Sequence, residues 1–103
     1  MAYYEIDNRP EEIRFEGASD MVVRTIRNAK NLLMTKMGEV PYDRHRGFDA
    51  GLYDLPLSEF RSRLLPELDR MMLWEPDAEV AEAEATLGEN GEIYIRVILK
   101  IDI

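Results

Sequence analysis

The chain has no cysteine, and that one absence removes disulfide bridges, thiolate catalysis and cysteine-ligated zinc together. It has a single histidine, His45, and no Asp-rich loop with calcium-hand spacing, so no metal and no cofactor is expected. Its six glycines never gather into a Gly-rich run after a strand, which excludes a phosphate-cradling loop. No apolar run approaches the roughly 18 residues that span a bilayer. The start, Met1-Ala2-Tyr3-Tyr4-Glu5, has neither the basic region nor the apolar core of a signal peptide. Synthesis and folding in a cytoplasm, away from membranes, is the expectation. Cations are scarce as well: 13 Lys and Arg stand against 21 Asp and Glu, a formal charge of -8. Nucleic acid repels such a surface, because phosphate binding depends on clustered cations that release counterions. The charge serves solubility, or docking to a basic partner surface.

What is present is a globular composition, 46% hydrophobic over 103 residues, which suits one domain around one modest core. Residues 1–17 are read as an arm carrying Tyr3, Tyr4 and Ile6, with a short strand where Glu12-Ile13-Arg14-Phe15-Glu16 alternates before Gly17. A helix is expected over 19–37. Ser19 or Asp20 caps it, and Val22, Ile26, Ala29, Leu33 and Met37 recur at helical spacing until Gly38 closes it. Residues 38–57 are punctuated by Gly38, Pro41, Gly47, Gly51 and Pro56 and read as a long loop, with a helical turn near Asp49–Tyr53.

A second helical region is expected over 58–74, from the spacing of Phe60, Leu64, Leu68, Met71 and Met72, with a kink or break at Pro66. Met34, Met37, Met71 and Met72 read as core filler. The region 79–103 reads as a hairpin. Ile93, Ile95, Val97, Leu99 and Ile101 alternate along its second strand, and Asn90-Gly91 is the leading two-residue turn signal. Residues 79–87 favour helix by their Ala and Glu content, but a period of two and the need for a partner make them the first strand. The fold expected is α+β, with N-terminal helices packed on a small antiparallel sheet that includes the C-terminal hairpin. The last strand leaves an open edge, to be paired either by a strand near Ile13–Phe15 or by another chain.

No residue constellation advertises catalysis. His45 has Asp43 and Asp49 nearby in sequence but no serine beside it. Glu39 with Asp43 or Asp49 can mimic a glycosidase acid pair, yet so can many pairs in a chain with 21 acids. A salt-bridge and capping network among Glu39, Asp43, Arg44 and Asp49, fixing an irregular loop, is the favoured role for these residues. Arg44, His45 and Arg46 make a small basic spot, too few cations for nucleic acid.

Three landmarks carry a family resemblance. The first helix ends Leu33-Met34-Thr35 and runs into Gly38-Glu39; Pro41, Asp43, Arg44, Gly47 and Asp49 follow; Glu75-Pro76 comes after the second helical region and before the hairpin. This order resembles the baseplate wedge family of contractile phage tails and phage-like injection particles, which includes the small wedge subunit of type VI secretion. The resemblance covers about residues 19–103. It implies a structural part rather than an enzyme, bound to wedge scaffold subunits through a site that includes Glu75 and Pro76. It also implies that the C-terminal sheet templates the first sheath ring by strand pairing. Such a part is assembled in the cytoplasm of the producing bacterium and ends in the tail baseplate. The family's Glu-Pro-Arg reads Glu75-Pro76-Asp77 here, which removes a bidentate carboxylate fork. Two other readings stand beside this one: a muramidase-like enzyme using Glu39 and a nearby Asp, and a soluble regulatory adaptor on the same fold.

Overall fold

The computed structural model describes residues 2–10 and 19–101. Strand β1 (Ala2–Asp7) comes first, followed by helix α1 (Asp20–Met34), a 3-10 turn (Ala50–Asp54) and helix α2 (Leu57–Met71). A second 3-10 turn (Met72–Trp74) leads into strands β2 (Ala78–Leu87) and β3 (Ile93–Ile101). The architecture is a small α+β fold: two helices against one face of a three-stranded antiparallel sheet of order β1-β3-β2. The helices are not the first elements, because the segment read as an arm holds β1. The strand expected at Glu12–Glu16, and the last two residues, lie outside the described residues.

Alternation explains the sheet. Ile95, Val97, Leu99 and Ile101 of β3 are at most 2% exposed, whereas Tyr94 and Arg96 beside them are exposed and Ile98 and Lys100 half-buried. The inward residues meet Ile26, Ala29, Leu32 and Leu33 of α1 and Phe60, Leu64, Leu68 and Met71 of α2 in one core. Phe48, Tyr53 and Phe60 stack as tilted rings with centroids 5.5–6.4 Å apart, which ties the long loop to α2. Of the methionines read as filler, Met71 and Met72 are buried, while Met34 is 43% exposed at the end of α1.

Three local expectations are corrected. Helix α1 stops at Met34 rather than at 37, since Thr35 turns extended and a parallel bridge forms at Lys36 and Phe48. There the Phe48 amide donates to the Thr35 carbonyl at 2.8 Å and the Met37 amide to the Phe48 carbonyl at 2.9 Å. Those two bonds satisfy groups that another helical turn would have used. Helix α2 runs through Pro66 without a break. Pro66 is exposed, so water reaches the carbonyl its missing amide leaves free, and the buried face on either side holds the helix together. The hairpin turn is longer than two residues: Gly88 to Glu92 intervene, and Gly91 alone takes positive φ, at 83°. Both central residues of a two-residue type I′ turn need positive φ, so Asn90 is excluded from that geometry.

Asn8 extends the sheet by a side chain. Its Oδ1 accepts the Ile95 amide at 2.9 Å, and its Nδ2 donates to the Ile93 carbonyl at 2.9 Å and to the Tyr53 hydroxyl at 3.3 Å. An amide side chain thus replaces the backbone that β1 no longer supplies. Lys30, only 8% exposed on α1, donates to the Asp7 and Arg9 carbonyls and lies 3.0 Å from the Asp7 carboxylate. Burial alone would raise the Asp7 pKa, but hydrogen bonds from the Arg9 side chain and amide, together with Lys30, bring it down to about 2.

Candidate functional site

The loop that carries the family-like residues is held by one face of α2 and the turn after it. Glu67, Arg70 and Trp74 recur at i, i+3 and i+7, so they share a side of the helix. Arg70 donates to the carbonyls of His45 at 2.7 Å and Gly47 at 2.6 Å, and forks onto Glu67 with two bonds of 2.7 Å. Glu67 also accepts the Asp49 amide at 2.7 Å. The Trp74 indole donates to Asp43 at 2.6 Å, and the Arg70 guanidinium sits 5.8 Å from the centre of the Trp74 ring. The hydrogen bonds that Arg70 donates to Glu67 push the Arg70 pKa above its ordinary value, against the opposing effect of burial. Gly47 makes the close approach possible: its φ is 103°, and a Cβ there would lie 2.4 Å from the Thr35 carbonyl oxygen.

The residues singled out from sequence divide sharply. Asp43 and Asp49 work inside the loop, Asp43 on Trp74 and Asp49 as the cap of the following 3-10 turn, where it accepts the Gly51 amide at 3.0 Å. Glu39 and Arg44 are exposed, and among the described residues neither makes a side-chain hydrogen bond or ion pair that would draw it into the network. His45 and Arg46 are exposed beside Arg44, and Tyr42 is fully exposed. Glu75 is only 8% exposed; its carboxylate accepts from Asn28 of α1 at 3.1 Å, so it is held within this chain. Pro76 and Asp77 remain on the surface.

The strand chosen for pairing, with Ile93, Ile95, Val97, Leu99 and Ile101, is the centre of the sheet rather than its edge. Strand β2 covers one side of it over 93–101, while β1 and Asn8 cover the other. Among the described residues the open edges belong to β1 and β2. Each is met by a cation from a helix. Ile95 commits its amide and carbonyl to Asn8, so Ala85 opposite it turns its own carbonyl outward, where Arg61 of α2 donates to it at 3.0 Å. Lys30 does the same for the Asp7 carbonyl of β1.

Sequence reasoning missed Glu67, Arg70 and Trp74, whose i, i+3, i+7 spacing was the available signal. It also missed Asn8 and Arg61, whose roles depend on sheet order. Among the described residues no three His, Asp or Glu side chains converge as metal ligands, and no helix is long and apolar enough to cross a membrane. Comparison with protein-family models, curated proteins and solved structures finds no match to this chain.

Proposed function

We propose that this chain is a structural component of a contractile-tail baseplate wedge, docking onto wedge scaffold subunits and offering the first sheath subunit a strand edge. The observation that carries the reading is the edge of β2, ten residues long and unpaired on its outer side among the described residues. Peptide groups on such an edge pair readily with an extended segment of another chain. The landmark order of helix, Pro41-to-Asp49 loop, Glu75-Pro76 and hairpin supplies the machine in which that edge would work. Docking to the scaffold falls to the exposed tip of the clamped loop, at Tyr42, Arg44 and Arg46, and to the exposed Pro76. A loop whose backbone is already held by Arg70 and Glu67 loses little freedom on binding. On this reading the protein is assembled in the bacterial cytoplasm and ends in the baseplate.

The test blocks the edge without disturbing the ladder. Ala83 shares the alternation of Ala85, so its amide points outward, and Ala83→Pro removes that donor while leaving the bonds to β3. Co-expressed with the neighbouring tail genes, the folded variant should still recover wedge subunits and lose sheath. Undiminished sheath recovery would sink the reading. The enzymatic alternative has its own variant: Glu39→Gln should leave assembly intact, and a peptidoglycan-cleaving activity lost with it would replace the structural role.

A further inference from the structure

The edge of β2 that is open among the described residues lies along a stripe of α2 and the 3-10 turn after it. Leu65, Asp69 and Leu73 recur at i, i+4 and i+8, and the two leucines are 46% and 73% exposed. Two cavities follow this junction. One of about 290 Å³ is lined by Leu65, Ala83 and Ile98 with Glu82, Glu84 and Arg96. The other, of about 370 Å³, is lined by Met72, Leu73 and Val80 with Asp69 and Glu79. Apolar floor and carboxylate rim therefore run side by side along the outer edge of β2, unpaired among the described residues.

The charge of that rim is one-sided. Asp69, Glu79, Glu82 and Glu84 line the two cavities, and the one cation among the lining residues, Arg96, already binds Glu5 and Glu84. A second copy presenting the same strand would set glutamates against glutamates, which disfavours pairing. We propose that this groove selects a basic extended segment, one that alternates Lys or Arg with small apolar residues. The apolar residues seat against Leu65 and Leu73, the cations meet Glu79 and Glu82, and the main chain pairs with β2. Arg61, occupying the Ala85 carbonyl, marks where pairing stops. The register therefore runs from Ala83 toward Ala78, across the bulge between Val80 and Glu82 that leaves Ala81 without a partner on β3. The inference rests on the strand-pairing reading above and adds the chemistry of the strand that is accepted.

The probe is a ten-residue peptide alternating Val and Lys, titrated calorimetrically into the whole chain, with the Val and Glu counterpart as control. The basic peptide should bind at least tenfold more tightly than the acidic one and weaken about tenfold between 50 and 500 mM salt. Ala83→Pro, which leaves every charge in place, should abolish binding. Glu79→Gln with Glu82→Gln should cost about tenfold, and Leu73→Asp should weaken binding despite adding an attractive charge. Equal binding of the acidic peptide overturns the selectivity and leaves strand pairing standing. Unchanged binding to the Ala83→Pro variant overturns the groove itself. If Ala83→Pro blocks sheath recovery in the assembly experiment but the basic peptide fails to bind the parent chain, the charge inference alone falls.

Discussion

Replacing Arg70 by methionine tests whether α2 truly holds the loop. The substitution keeps most of the side-chain volume and deletes every donor. It orphans the carbonyl of Gly47, a buried residue, and leaves Glu67, whose side chain is 10% exposed, without its cation. Breaking a fully buried ion pair from one side costs about 3–5 kcal/mol. Arg70 is 30% exposed, so solvent repays part of that. Allowing for it, and adding the carbonyl bonds at the net value of charged hydrogen bonds, gives a loss of about 2–4 kcal/mol. That is a large share of the roughly 5–15 kcal/mol that stabilises a domain. The assay is urea unfolding followed by circular dichroism, with amide exchange read at Arg46, Phe48 and Asp49. Adding Glu67→Gln to Arg70→Met supplies the decisive contrast. Glutamine can still accept the Asp49 amide but carries no stranded charge, so the double variant should regain about 1–2 kcal/mol over Arg70→Met alone. A loss under about 0.5 kcal/mol for the single variant, or no recovery in the double, would refute the clamp.

Gly47→Ala should destabilise by about 2–4 kcal/mol, because a methyl group cannot fit against the Thr35 carbonyl at positive φ; thermal unfolding reads it, and a near-neutral result would mean the bridge at Lys36 and Phe48 is dispensable. Asn8→Ala should cost about 1–3 kcal/mol by unpairing the Ile95 amide and the Ile93 carbonyl, and exchange at Ile95 should accelerate selectively. Asp7 has a folded pKa of about 2, below its ordinary 3.8, so it stabilises the fold fully above pH 4 and loses that contribution as pH falls toward 2. Discounted for solvent screening, the effect is about 1 kcal/mol, and Asp7→Asn should flatten that part of the stability profile.

The elements that sequence pattern revealed are those whose signal is local and strong. The alternation from Ile93 to Ile101 names a half-buried strand, and the stripe of Ile26, Ala29 and Leu33 names a helix face. Strand β2 was legible against its own helix propensity because its neighbour required a partner. What stayed hidden depends on distant pairing. Ala2, Tyr4 and Ile6 alternate with Tyr3, Glu5 and Asp7, yet six residues are ambiguous until β3, about ninety positions later, lies beside them. That pairing moves β3 to the centre and the open edge to β2. The end of α1 was overrun for a similar reason: Met37 continues the spacing, and only contact with Phe48 ends the helix earlier. Glu75 was assigned to scaffold docking by the family resemblance, and its burial comes with a hydrogen bond from Asn28, which lies 47 residues away.

The strand order sets a schedule. Strands β1 and β2 do not pair with each other; each pairs with β3, which follows both in the chain. Closing β1 onto β3 spans most of the sequence, a costly non-local step that precedes its reward. Until β3 arrives, the Ala83 and Ala85 peptide groups have no fixed direction, and Arg61 has no edge carbonyl to guard. An unfinished chain therefore has no edge to offer. On the strand-pairing proposal, recruitment of a partner strand would then report completed folding.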